Sequence, residues 1–284
     1  VIGTSTSGIS DGENAIRFHL DHGKFPDSYH YRKQELSSPS RYISNLLNLQ
    51  GPVFSVSTAC TSGSKALASA ARLLRLGVCD AVIAGGVDTL CNMTIEGFSS
   101  LSVTTDSVCN PFSVNRDGIN IGEGAGLFLM TCEPSLVRLS GIGETSDAYH
   151  ISAPHPEGDG AEKAMLIALE NAGIDPIKID YLNLHGTGTR QNDKMEALAV
   201  HRVFGETIAC SSTKPLTGHT LAAAGAIEAV FCWLALHRND SKLPPHRWDG
   251  KQDPDLPRLI NIAAVQSQNK PKFVMNNSFA FGGN

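Results

Sequence analysis

Alanine-rich segments with helical spacing alternate along the chain with short β-branched runs, and this alternation points to a layered α/β architecture. The strand candidates are residues 53–56, 81–84, 126–130, 181–184 and 273–275, and Val1 opens a further strand-like stretch. The helix candidates are residues 61–76, 161–172, 194–204 and 219–237. The second of these has a clear stop, with Gly173 after Ala172 and Pro176 beyond it. Pro244, Pro245, Pro254 and Pro257 mark an irregular loop before the last strand. The apolar run 221–236 contains Glu228 and is shorter than the about 20 residues a bilayer span needs, so it reads as a buried core helix without a membrane role. Residues 56–63 and 211–219 both read as strand, sharp turn and small-residue helix. Either this is the ordinary likeness of any two strand–helix units, or the fold is duplicated.

A chain of 284 residues, 41% hydrophobic and 18% charged, is long enough for one large domain or two packed halves. Its net charge of -5 argues against a nucleic-acid partner, which calls for a basic stripe. The seven cysteines are odd in number and form no CxxC pair, so neither a disulfide framework nor a zinc site is indicated. Reduced thiols, with no signal peptide at Val1, fit a cytoplasmic protein.

Cys60 lies between an apolar strand and a helix, among Ser57, Thr58, Thr61, Ser62, Gly63 and Ser64. A thiol at a helix N-terminus feels the positive end of the helix dipole, which favours thiolate, and small neighbours let a substrate approach. The ordinary alternative is a buried inert cysteine, which is the expectation for the other six. His185 follows the strand at 181–184 and opens His185-Gly186-Thr187-Gly188-Thr189, at the carboxyl end of a strand where α/β folds place their sites. His219 precedes the small-residue helix containing Ala222, Ala223, Ala224, Gly225 and Ala226, which allows close helix packing near the centre of the molecule. Lys214 and Glu228 bracket it and, if buried, need partners. The tail Phe279-Ala280-Phe281-Gly282-Gly283-Asn284 offers backbone N–H groups to an oxyanion, or makes an ordinary turn. Gly122-Glu123-Gly124-Ala125-Gly126 precedes a strand and lacks the Lys-Ser/Thr of a phosphate loop, so it is not a nucleotide site. Arg116-Asp117-Gly118 reads as an internal salt bridge at a turn.

Together these motifs resemble the β-ketoacyl-acyl-carrier-protein synthases of the thiolase superfamily. Thr58-Ala59-Cys60 with Ser62-Gly63 is similar to the nucleophile motif, and Asn115 to Gly118 with the glycine run at 122–126 to the segment between the two halves. His185 to Thr189 with Asp193 and Glu196 resembles the first histidine motif, and Lys214, His219 and Glu228 the second. Asn277 to Gly283 resembles the C-terminal glycine motif, although many relatives carry a Thr between Gly283 and Asn284.

The resemblance implies an α-β-α-β-α thiolase-like fold of two duplicated halves, divided at 1–135 and 136–284, the first carrying the nucleophile and the second both histidines and the lysine. The family begins with strands and helices before the point where Val1 falls and ends with a strand beyond Asn284, so the N-terminal half is expected to be incomplete. The resemblance further implies decarboxylative Claisen condensation through acyl-Cys60, with His185, His219 and Lys214 as its catalytic partners and Glu228, Asp193 and Glu196 in support. The backbone N–H groups of Cys60 and Phe281 would form the oxyanion hole. Thr187 and Thr189 would hold a phosphopantetheine arm, and Phe98, Phe279 and Phe281 would line the substrate site. No metal or other cofactor is implied, because phosphopantetheine arrives on the acyl carrier protein. The partners implied are that carrier and a second synthase subunit, identical or paralogous. The compact segment 101–111, with Cys109, hints at a polyketide or polyene synthase. A thiolase would place a cysteine near the C-terminal glycine motif, and none follows Cys232. The other reading is a non-catalytic chain-length factor, but such subunits generally lack the nucleophile that Cys60 supplies here.

Overall fold

The computed structural model describes residues 1–238, 242–259 and 270–281. It resolves into two compact units, each made of segments distant in sequence. The first comprises Val1–Ser102, Ile121–Cys132 and Thr220–Ile227; the second comprises Val103–Asn120, Glu133–His219 and Glu228–Asn284.

In the first unit a four-stranded sheet has the order β2-β1-β3-β4. Strand β1 (Ile2–Gly3) pairs in parallel with β2 (Ser55–Val56) and with β3 (Ala81–Asp88), while β4 (Gly124–Thr131) runs antiparallel to β3 from Ala81↔Thr131 to Asp88↔Gly124. Helix α3 (Ser62–Arg75) packs Ala66, Leu67, Ala70 and Leu74 inward. The run Ala222 to Ala226 is buried against it, as its small side chains foretold. The fit is backbone to backbone: a Cβ on Gly63 would stand 2.7 Å from the Ala222 carbonyl oxygen. Such an approach exists only where side chains are absent or a single methyl. Helices α1 (Ile9–His22), α2 (Ser38–Leu46) and α4 (Asn92–Ser100) complete the unit.

The second unit is built on a parallel sheet of order β6-β5-β7, from β5 (Tyr181–Asn183), β6 (Cys210–Ser211) and β7 (Val274–Asn276). Leu182 and Leu184 sit in its core with Phe112, Met165, Met195, Val200 and Phe279. Burying each such side chain contributes about 1.5–3 kcal/mol. Helix α5 (Asp159–Ala172) stops at Gly173, which takes a left-handed φ of 65° and donates its N–H to Glu170 O. This is the glycine stop visible in the sequence. Helix α6 (Arg190–Phe204) begins four residues before the periodic pattern does, because its first turn is polar and Asp193 turns inward to a hydrogen-bonding role.

Two expectations are corrected here. The run from His219 is not one helix: a 3-10 turn at Leu221–Ala223 precedes α8 (Ala224–His237), and Leu221 takes a φ of 49°, which breaks helical continuity. The second strand–turn–helix unit therefore inserts a one-turn helix, α7 (Lys214–Thr217), and a loop carrying His219 before its long helix. Arg116 pairs with Asp253 rather than with its neighbour Asp117, which accepts instead from the Thr105 hydroxyl at 2.9 Å. Among the described residues no helix is long and apolar enough to cross a membrane.

Candidate active site

In a parallel sheet the loops at the carboxyl ends of the strands gather on one side. In the second unit these loops carry His185 after β5, Lys214 after β6 and Phe279 after β7. His185 and His219 are both buried, with ring centroids 5.3 Å apart and planes at 83°. Phe279 also packs edge-on against His185, 5.9 Å away, so packing restrains the imidazole plane. The His219 N–H donates to Asn120 O at 2.7 Å, which anchors its loop.

Lys214 and Glu228 are buried and joined, Nζ to Oε1, at 2.5 Å. Burial pushes the Glu228 carboxyl up and Lys214 draws it back. Both imidazoles are pushed well below the ordinary histidine value. Burial is the main cause, the Lys214 ammonium adds to it, and for His185 so does His219. The pair therefore stands neutral, and a neutral imidazole carries one N–H donor and one bare nitrogen. Nδ1 of His185 has no hydrogen-bond partner among the described residues.

Nitrogen NMR is expected to find both rings untitrated from about pH 8 to well below the ordinary midpoint of about 6.5. The sign follows from linkage: below that midpoint the unfolded chain takes up protons the folded rings refuse, so stability falls as the pH falls. A ring that titrates at the ordinary midpoint would contradict its burial beside a charged Lys214.

The Glu196 and Asp193 carboxylates hold backbone rather than the histidine rings. Glu196 accepts from the His185 and Gly186 N–H groups, each at 2.7 Å, and from Asn277 Nδ2 at 3.1 Å. Asp193 accepts from Phe112 N at 2.8 Å and from Gly188 N at 3.2 Å. Burial raises their carboxyls to about 7 and about 6, against the pull of these donors. The Thr187 and Thr189 hydroxyls bond to each other at 2.9 Å. Phe281 has a left-handed φ of 49° and is partly exposed; Gly282, Gly283 and Asn284 lie outside the described residues.

Cys60 and Phe98 belong to the first unit. Cys60 is buried on the turn between β2 and α3, and the residue before it, Ala59, is forced to a φ of 51°. A non-glycine residue there costs about 1–2 kcal/mol, and such strain persists only where its surroundings impose it. Ser62 imposes it: its hydroxyl accepts from Thr58 N at 2.8 Å and donates to Ala59 O at 2.6 Å. Phe98 lies on α4, half-buried. Of the other cysteines, Cys91, Cys109, Cys210 and Cys232 are buried, and burial raises the last three thiols, Cys109 to about 11. Cys79 is only half-buried and Cys132 is exposed, contrary to the expectation of six buried thiols.

Three buried hydrogen-bonding positions went unmarked in the sequence. Asp88, at the carboxyl end of β3, is a buried acceptor for Thr4 Oγ1, the Ser5, Thr6 and Ala222 N–H groups, and the Ser5 and Thr6 hydroxyls. Ser212 and His246 brace the loops of the second unit. His246 follows Pro244 and Pro245, and nothing in that irregular stretch sets it apart except that a histidine stands there.

Residues 2–133 match the model of the β-ketoacyl synthase N-terminal domain, and residues 136–247 that of the C-terminal domain. Nodulation protein E of Rhizobium meliloti is 34% identical, over 99% of this chain and 72% of its own length. The chain belongs to the β-ketoacyl synthase family. 3-Oxoacyl-[acyl-carrier-protein] synthase 2 of Staphylococcus aureus is 38% identical over 84% of this chain, and the matched part is 62% of that synthase's length. Among solved structures, the ketosynthase ApeO in complex with its chain length factor ApeC from Xenorhabdus doucetiae matches with a TM-score of 0.93 and 48% identity, over 100% of this chain and 71% of that one. The ishigamide ketosynthase/chain length factor matches with a TM-score of 0.87 at 29% identity, over 100% of this chain and 73% of that one. The two sheets are those of the family's thiolase-like fold, here in a chain shorter than its relatives.

Proposed function

We propose that this chain is the catalytic portion of a β-ketoacyl-acyl-carrier-protein synthase. The observation that carries the proposal is the buried, neutral, edge-on histidine pair beside an intact Lys214–Glu228 ion pair. Such a pair offers two N–H donors to one developing oxyanion, and has no evident use in a subunit that performs no chemistry.

The reaction has two stages. In the first, the Cys60 thiolate attacks the thioester carbonyl of an acyl carrier protein; the acyl–sulfur bond to the carrier breaks, the acyl group bonds to Cys60, and the carrier leaves as its thiolate, which takes a proton from water. In the second, malonyl carrier protein loses CO₂, and the electron pair of the broken bond becomes an enolate whose oxygen accepts hydrogen bonds from His185 and His219. The enolate carbon attacks the acyl-Cys60 carbonyl. The tetrahedral oxygen is held by the backbone N–H groups of Cys60 and Phe281, and collapse returns the Cys60 thiolate and a 3-oxoacyl carrier protein. Decarboxylation drives the step, so the reaction calls for no metal or redox cofactor. In this reading Thr187 and Thr189 hold the phosphopantetheine arm, and Phe98, Phe279 and Phe281 line the acyl path. Burial, with the Lys214 ammonium adding to it, keeps both histidines neutral.

The likeness to ketosynthase/chain length factor complexes supports a paralogous subunit as a partner, and the likeness to 3-oxoacyl-[acyl-carrier-protein] synthase 2 supports acyl carrier protein as the substrate carrier, in fatty acid or polyketide assembly. It also keeps a second reading in play, in which this chain is the partner that performs no chemistry. Intact-protein mass spectrometry after incubation with acyl carrier proteins separates the two. The full-length protein is expected to gain one acyl group, mapped to Cys60 and absent from Cys60→Ala. A folded protein that gains none from any donor is the non-catalytic partner.

A further inference from the structure

We infer that His246 is a positioning residue, which clamps the two pieces of backbone that hold the His185 turn and thereby sets the enolate-stabilising step. The inference rests on the reaction proposed above and concerns its second stage.

Gly186, directly after His185, has a left-handed φ of 36° and is pinched from two sides. A Cβ there would stand 2.6 Å from Ser212 Cβ and 2.9 Å from Phe112 Cε2. These two walls come from distant parts of the second unit, and His246 joins them. Its Nδ1 accepts from Ser212 N at 3.0 Å, and its Nε2 lies 3.3 Å from Pro111 O. A backbone N–H can only donate and a carbonyl can only accept, so the ring must be neutral with its proton on Nε2. Burial agrees, holding this imidazole down at about 4. The ring also packs against Phe112, 6.3 Å between centroids, and Trp248, 5.7 Å.

Both walls reach the reacting groups. The Ser212 hydroxyl donates to Gly186 O at 2.6 Å and accepts from Lys214 N at 3.3 Å, so it ties the His185 turn to the start of α7. Phe112 takes a φ of 62°, and its N–H is held by Asp193, which also holds Gly188. A strained residue of this kind keeps its conformation only while its neighbours over-determine it. Without His246, Pro111 O and Ser212 N lose a partner together, and the pinch on Gly186 is released from both sides. His185 is then free to swing, and a displacement of about 1 Å can cost on the order of 100-fold in rate.

The test compares His246→Leu, which removes both hydrogen bonds, with His246→Asn, whose side-chain oxygen can still accept from Ser212 N. Two steps are read separately in the full-length protein: loading of Cys60 from acyl carrier protein, and release of CO₂ from malonyl carrier protein by the loaded enzyme. His246→Leu is expected to load Cys60 at an unchanged rate and to release CO₂ roughly 10- to 100-fold more slowly, with His246→Asn recovering most of that loss. Loading and CO₂ release falling together, in step with a lowered melting temperature, would mean that His246 only stabilises the fold. Unchanged CO₂ release in His246→Leu would overturn the inference outright. A wild-type protein that neither loads nor decarboxylates sinks the synthase reading instead, and the wild-type control keeps that failure apart from failure of the clamp.

Discussion

Lys214→Ala is expected to lower stability by about 3–5 kcal/mol, the range for removing one partner of a buried ion pair. The cause is the charge left behind more than the bond lost. Glu228 is buried and its second oxygen, Oε2, has no hydrogen-bond partner among the described residues, so without Lys214 its carboxylate has to protonate or draw water inward. Replacing both members by apolar residues of similar size, Lys214→Met with Glu228→Leu, is expected to recover most of the loss, because it removes the desolvated charges together. Urea unfolding of the single and double variants measures this. A single variant within about 1 kcal/mol of wild type would mean that the pair is far more hydrated than its burial implies. The double variant separates folding from chemistry as well. It is expected to fold without regaining activity, and its two imidazoles, relieved of the nearby ammonium, are expected to titrate at higher pH than in the wild type.

Truncating either histidine is expected to have the largest effect on turnover. His185→Ala or His219→Ala should slow condensation by roughly 100- to 1000-fold, the range for removing one oxyanion donor from a preorganised site. Loading of Cys60 should persist in both, because in the proposed reaction the two rings act on the enolate and not on the thioester attack. Losing both is expected to cost less than the product of the single losses, since the donors serve one oxygen. Rapid-quench measurement on enzyme already carrying its acyl group isolates this step. Equal loss of loading and condensation would instead assign the histidines to activation of the thiol.

Much of this was legible in the sequence because chemistry concentrates at punctuated places. Strand, turn and small-residue helix around Cys60, the His-Gly-Thr-Gly-Thr run, and a lysine and glutamate bracketing an alanine-rich segment are local patterns, and each marks a residue at the end of a strand or the start of a helix. The glycine stop of α5 and the burial of the run from Ala222 to Ala226 followed from the same local logic. Helices α1, α2 and α4 left no such trace. Their buried residues are few: Gly12 and Ala15 in α1, Ser40 in α2, and none in α4.

The residue types and their order determined the family, and they marked the candidate nucleophile and the candidate second-stage donors, since those depend on what each side chain can do. Tertiary structure alone decided their condition. Arg116 chose Asp253 over the adjacent Asp117, and Asp88 became a hub for Thr4, Ser5, Thr6 and Ala222. His246 found Ser212 and Pro111, and two ordinary histidines were driven neutral by burial beside one lysine. Each of these outcomes depends on which groups lose water together and which donor then meets which acceptor. Most of those meetings join residues tens to more than a hundred positions apart, where no local pattern can record them.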